Sequence, residues 1–210
     1  MALSFNGSTD YLTVAAPFHG ASALTVSTWV QFTSLASENK IMGVWQEGGS
    51  GFEWLLTTSG TALLGAIVDN GANFHTPSGG TLTTATWQQV AISYNGTTMK
   101  AWLNGVSVGS ASFSLPTQST ATLLSFGGGL LANSSPEQLL GGALAETGIW
   151  NVGLTDSEMK SLGHFSPLRV RLSSLKRYRP FVRNTNDLIS GVAVTSFGTP
   201  GYATHPPVFR

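Results

Sequence analysis

The stretch Trp87–Val108, WQQVAISYNGTTMKAWLNGVSV, leaves this chain little choice of fold. Val90, Ile92 and Tyr94 alternate with Ala91 and Ser93, the period of two that a half-buried strand imposes. Asn95-Gly96-Thr97-Thr98 supplies residues that tolerate positive φ. A second alternating arm follows, with Met99, Ala101 and Leu103 set against Lys100 and Trp102. Asn104-Gly105 fits a two-residue type I′ turn, after which Val106 and Val108 resume the alternation. Three antiparallel strands are therefore predicted in one short stretch.

The rest of the chain repeats this texture. Leu3 and Phe5, then Tyr11, Leu12 and Val14, bracket a turn at Asn6–Asp10. From Leu24 to Phe32 the row Leu24, Val26, Thr28, Val30, Phe32 shares one face, and Trp29 lies on the other. Ile41–Trp45 and Phe52–Thr57 flank a glycine-rich loop, Gln46–Gly51, while Leu63–Val68 and Asn73–Thr76 surround the turn Asp69-Asn70-Gly71. Leu123–Phe126 and Ala143–Trp150 read as two more strands, separated by the loose stretches Gly127–Gly129 and Asn133–Pro136. One short helix is predicted near 155–162: Thr155-Asp156-Ser157-Glu158 is a capping box, Met159 and Leu162 turn inward, and Gly163 ends it. Strands at intervals of roughly 8 to 12 residues with no helices between them predict an all-β, two-sheet antiparallel sandwich.

Composition agrees. Gly, Ser and Thr make up 74 of the 210 residues and only 10% are charged, a bias against helices. The absence of cysteine excludes disulfides and thiolate metal sites. The start, Met1–Gly7, has neither a basic n-region nor an apolar h-region, and no run approaches the ~20 apolar residues of a membrane span, so neither signal peptide nor transmembrane segment is expected.

Charge is unevenly spread. Residues 1–165 hold three basic and nine acidic residues, net −6, whereas 166–210 hold seven basic residues and only Asp187, net +6. With the change of texture at Ser166-Pro167, this divides the chain into a domain, 1–165, and a basic C-terminal arm, 166–210. The arm carries Leu168, Val170, Leu172, Leu175, Tyr178, Phe181, Leu188 and Ile189, too apolar a set for a solvated tail. It is expected to pack beside the Met1–Phe5 strand or on a neighbouring subunit, with Arg169, Arg171, Lys176, Arg177, Arg179 and Arg183 guiding the contact.

Taken in order, LSFNGSTDYL (3–12), LTVSTWV (24–30), WQQVA (87–91), SYNG (93–96), LNG (103–105), LAETGIWN (144–151) and LTDSE (154–158) resemble the laminin-G-like branch of the concanavalin A-like lectin/glucanase jelly rolls. The resemblance covers about residues 2–162 and implies two stacked antiparallel sheets with a short helix at one end. In that family a segment with Tyr or Trp, then Pro and an apolar residue, then Asp-Leu and Gly, then a Thr/Gly strand, often precedes the Phe-Asn-Gly block. Here Tyr178-Arg179-Pro180-Phe181, Asp187–Gly191 and Thr195–Thr199 look like that segment placed after the domain, as a permuted edge. Domains of this kind with such a tail resemble virion components of tailed bacteriophages. The resemblance implies a structural protein displayed on capsid or tail, with itself and other virion proteins as partners and glycans as a further partner; the alternative is a lectin or adhesin outside any virion.

Catalysis is not expected. Glycosidases on this fold need paired carboxylates, usually as Glu-x-Asp-x-x-Glu, and the chain has no such triplet; Glu53 is isolated and Glu146 lies in the structural LAETGIW block. His19, His75, His164 and His205 lack ligand spacing. Calcium has one candidate ligand, Asp69, whose plainer reading is a turn residue; no cofactor is otherwise expected. Sugar stacking would use Trp29, Trp54 and Trp102, which as readily fill an apolar layer. The acidic body and a pI near 6.9 argue against a nucleic-acid binder.

Overall fold

The structure, a computed structural model, describes residues 1–35, 38–47, 51–118, 122–131, 133 and 135–209. The strands in chain order are β1 (Ala2–Asn6), β2 (Tyr11–Ala15), β3 (Leu24–Phe32), β4 (Lys40–Glu47), β5 (Gly51–Ser59), β6 (Ala62–Val68), β7 (Phe74–His75), β8 (Ser78–Gly79) and β9 (Gln88–Tyr94). They continue as β10 (Thr98–Leu103), β11 (Val106–Ser112), β12 (Leu123–Phe126), β13 (Gly129–Leu131), β14 (Pro136–Glu137) and β15 (Gly141–Trp150). The helix α1 (Asp156–Leu162) follows, then β16 (Leu175–Arg179), β17 (Thr195–Phe197) and β18 (Gly201–Ala203). They form a sandwich. One sheet runs β11-β10-β9-β3-β15-β1-β18 with β16 also on β15; the other runs β17-β2-β12-β4-β5-β6-β7, with β8, β13 and β14 at its margins.

The hairpins form as the alternation predicts. Met99 opposes Tyr94 and Leu103 opposes Val106, so the Asn104-Gly105 loop is two residues long, with φ of 51° and 74° as a type I′ turn requires. The inward row of β3, Leu24, Val26, Val30 and Phe32, meets Val90, Ile92 and Tyr94 of β9 and, across the sandwich, Val44, Trp54, Leu56 and Ile67 in one continuous core. The helix is capped as expected: the Thr155 side chain accepts from the Glu158 N–H, and Glu158 accepts in return from the Thr155 N–H at 2.8 Å. Gly163 ends it with ordinary right-handed φ of −69°, not the left-handed turn that glycine usually supplies.

Two stretches read as loose are partly ordered. β13 runs parallel to β4 and antiparallel to β14, and the Ser125 hydroxyl fixes the glycine turn by donating to the Gly128 carbonyl at 2.7 Å. The centre of the Gln46–Gly51 loop and residue 134 of the Asn133–Pro136 stretch lie outside the described residues.

The C-terminal segment packs within its own chain. β16 pairs with the second half of β15, end to end with β1 on the first half; β17 pairs with β2 and β18 with β1, so the segment supplies strands to both sheets. The cations named as guiding the contact take different places in the segment. Arg177 and Arg179 are buried, 8% and 1% exposed, and both lean on Asp187, at 3.4 and 3.8 Å. Arg171 pairs with Glu158 of the helix at 2.7 Å, Lys176 is half-buried, and Arg169 and Arg183 are exposed. Arginine inside a fold requires a partner carboxylate and carbonyl acceptors. Asp187 is the segment's one acid, and the Val192 carbonyl accepts from Arg179 at 2.7 Å.

Candidate functional site

On the first sheet's outer face, Leu154 and, from α1, Met159 and Leu162 cover Ala91, Trp102 and Trp150, while the terminal residues Ala203 and Val208 pack beside Trp29 and Trp87. Between these covers lies an open cleft of about 540 Å³ whose lining includes Trp29, Gln31, Trp87, Asn104, His164 and Pro207.

Each wall has a local cause. Trp29 points outward because it sits between inward-facing Thr28 and Val30 on β3; it is 9% exposed, and its indole N–H has no hydrogen-bond partner among the described residues. Gln31, two residues on and so on the same face, donates its amide to the Ala85 carbonyl at 3.0 Å. Ala85 holds a left-handed φ of 57°, which bends the chain ahead of Trp87 and β9. The Asn104 side-chain oxygen accepts from the Gln89 N–H at 2.8 Å, and the Gln89 side chain accepts from the Gly105 N–H at 3.0 Å and donates to Ser27 Oγ at 2.7 Å. The hairpin turn is thereby bolted to the sheet beside Trp29.

The last wall is the C-terminal strap. Trp87 donates its indole N–H to the Thr204 carbonyl at 3.1 Å, and the Phe209 N–H donates to the His164 carbonyl at 2.9 Å, which sets Pro207 across the cleft. His205 Nε2 stands 3.1 Å from Glu146 Oε1, and Tyr178 donates its hydroxyl to Glu146 Oε2 at 2.6 Å. Glu146 is 1% exposed, with φ of 51° at the bulge in β15, so this carboxylate joins the strand, β16 and the strap.

Indole faces beside amide and imidazole groups suit a ligand with one apolar and one hydroxyl-rich side. Glycoside hydrolysis requires a carboxylate pair, and no Asp or Glu is among the described lining residues.

Of the tryptophans singled out in the sequence, Trp29 alone borders the cleft, and at 9% exposed it shows the cleft little of its surface. Trp54 is 0% exposed between the sheets, and Trp102 is 2% exposed beneath α1, donating to Ser93 Oγ at 2.8 Å. Neither offers a ring face to a ligand, because alternation assigns a side chain to a face without saying what covers that face. Asp69 is the hub of its turn, accepting from the Gly71 and Asn73 N–H groups and from His75. Burial tends to raise its pKa, but these donors outweigh it and hold the carboxyl at about 2. Sequence reasoning missed Trp87, Gln31, Asn104, His164 and Pro207 as one group; the available signal was Gln31 two residues after Trp29, with Trp87 heading the neighbouring strand.

Comparison with known proteins agrees with the two-sheet fold. Residues 6–160 match the family described as the concanavalin A-like lectin/glucanases superfamily. No curated protein matches the sequence. Among solved structures, a candidate carbohydrate-binding protein from Bacteroides ovatus superposes with a TM-score of 0.74 at 16% identity, over 99% of this chain and 61% of that one. The chain thus spans less than two thirds of that protein. The heptameric SAP-like pentraxin of Limulus polyphemus gives a TM-score of 0.66 at 14% identity, over 92% and 93% of the two chains. The CBM40 of the Ruminococcus gnavus IT-sialidase, bound to α2,3-sialyllactose, gives 0.62 at 12%, over 77% and 96%.

Proposed function

Because the chain belongs to the concanavalin A-like lectin/glucanases superfamily, we propose that it is a carbohydrate-binding module that takes a glycan in the cleft of Trp29 and Trp87. The observation that carries this reading is the open cleft that Trp29 and Trp87 line together with Gln31, Asn104 and His164 on the outer face of the first sheet. The likeness in fold to a carbohydrate-binding candidate and to a module seen with a sialylated sugar supports it. The function is binding without turnover, since the cleft supplies no acid and base pair.

A glycan array followed by calorimetry tests this. Trp87→Ala is expected to weaken the best ligand at least tenfold, about 1.4 kcal/mol, with the fold retained. An array that detects no glycan, or binding indifferent to both Trp87→Ala and Trp29→Ala, overturns it. Display on a bacteriophage capsid or tail, implied by the resemblance, would make this module an adhesin; mass spectrometry of purified particles is its test. The arm, which first pointed to attachment, packs in cis and lends that placement no support.

A further inference from the structure

The second sheet turns a different surface outward. Trp45 of β4, Leu55 of β5 and Ala66 and Val68 of β6 form a separate apolar cluster, with Phe52 and Leu64 partly buried against it. Phe74, on the two-residue edge strand β7, completes it. The rings of Trp45, Phe52 and Phe74 lie 4.7, 5.8 and 6.0 Å apart, tilted by 54° to 72°, and Phe74 is 57% exposed. A mostly exposed Phe on an edge strand leaves apolar surface in water that the fold itself does not bury.

A polar group stands at the rim. Glu47 Oε1 lies 3.4 Å from the Trp45 indole nitrogen and 2.6 Å from Lys40 Nζ. Lys40 is fully buried and also bonds Glu137, while the Glu47 side chain is 43% exposed. A buried ammonium therefore fixes Glu47 as a charged acceptor beside the rings. Glu47 and Glu137 share the Lys40 ammonium, and the exposed part of the Glu47 carboxylate can accept from the hydroxyls of a ligand seated on the rings.

We propose that the Trp45, Phe52 and Phe74 face, with Glu47 at its rim, is a second glycan site, so that one chain binds sugar on both outer faces of its sandwich. This rests on the carbohydrate-binding reading and extends it. The ligand is a neutral pyranose: its C–H face packs on the rings, and its hydroxyls donate to Glu47. An acidic sugar is disfavoured there because its carboxylate would face Glu47 and Glu137 across a single ammonium. The Trp29 cleft, with no carboxylate in its described lining, lacks that bar, so the two sites differ in the charge they accept.

Calorimetry with neutral oligosaccharides taken from array hits, on wild type, Phe74→Ala, Trp87→Ala and Glu47→Gln, decides the matter. Two sites per chain are expected in wild type. Phe74→Ala should leave one site, with the other weakened at least tenfold, and Phe74→Tyr should restore it. Glu47→Gln should weaken the same site and narrow its preference for neutral over acidic sugars. A single site that Trp87→Ala abolishes and Phe74→Ala leaves untouched overturns the second site and spares the cleft. Absence of any binding in wild type overturns both. Counting sites per chain avoids the ambiguity of cross-linking assays, in which a dimer with one site would also bridge beads.

Discussion

Gly105 occupies a position that almost no other residue can fill. Its φ of 74° lies in the left-handed region, and a Cβ there would stand 2.9 Å from the Lys160 Cα of the helix that packs over the turn. The left-handed conformation costs an ordinary residue about 1 to 2 kcal/mol, and moving the helix adds to that. Gly105→Val is expected to lower stability by about 2 to 4 kcal/mol in urea unfolding, with Gly105→Ala at the lower end. Asp69 gives a prediction in pH. Its folded pKa of about 2 lies below the ordinary 3.8, so its contribution is fully present above pH 4 and is lost as pH falls through the folded value. The shift corresponds to a contribution of order 2 kcal/mol. Asp69→Asn should be less stable at neutral pH and should lose less stability than wild type between pH 4 and 2; an unchanged acid profile would refute this. Glu53 has the opposite sign: burial raises its pKa despite the His19 and Thr117 hydrogen bonds, so its contribution is present below the unfolded value of 4.5 and declines as pH rises through the folded one. At this scale turns were easier to read than accessibility, because a residue such as Trp102 reads as outward on β10 while its exposure depends on α1, more than fifty positions along the chain.

Strands with strong alternation were legible, and short ones were not. β3 and β9 pair through seven residues in one register and β9 and β10 through five, so their pairing follows from face and turn alone. β8, β13 and β14 are two or three residues long and exist because distant strands supply partners, which no local pattern reveals. β16 lies between these cases. Its Leu175, Lys176, Arg177, Tyr178, Arg179 sequence carries three cations in five residues, yet the segment's single acid bends two guanidiniums inward. Burial tends to raise the Asp187 pKa, but donors from Ser190, Ile189 and Tyr178 outweigh it and keep the carboxyl charged. Asp187→Ala would leave Arg177 and Arg179 buried without a counter-ion. It is expected to cost about 3 to 5 kcal/mol, against much less for an exposed control such as Asp156→Ala, which breaks the exposed pair with Lys100. Equal effects of the two changes would mean that the Asp187 cluster is hydrated.

For the whole molecule, the question is whether its opposite charges hold the last 45 residues in place. The net −6 and +6 of the two parts invite that view, but few of the charges meet. Arg177 and Arg179 pair with Asp187 inside the segment itself, while Arg171 with Glu158 and His205 with Glu146 are pairs among the described residues that cross to the body. Against these stand three ladders, β16 on β15, β17 on β2 and β18 on β1, and the burial of Val170, Leu175, Tyr178 and Phe181. At roughly 1.5 to 3 kcal/mol for each large side chain, that burial exceeds exposed ion pairs at about 0 to 1 kcal/mol apiece. Salt should therefore matter little: raising NaCl from 0.1 to 1 M shortens the screening length from about 10 to 3 Å but leaves the buried cluster and the ladders intact. The unfolding free energy is expected to change by less than about 1 kcal/mol over that range. Truncation after His164, in contrast, strips an edge from each sheet, uncovers the β15 flank and leaves Glu146 without Tyr178 or His205, so the shortened chain should lose its cooperative transition. A truncated protein that melts at the wild-type midpoint, or a wild type destabilised by several kcal/mol in 1 M salt, would show that charge and not burial sets the position of this segment.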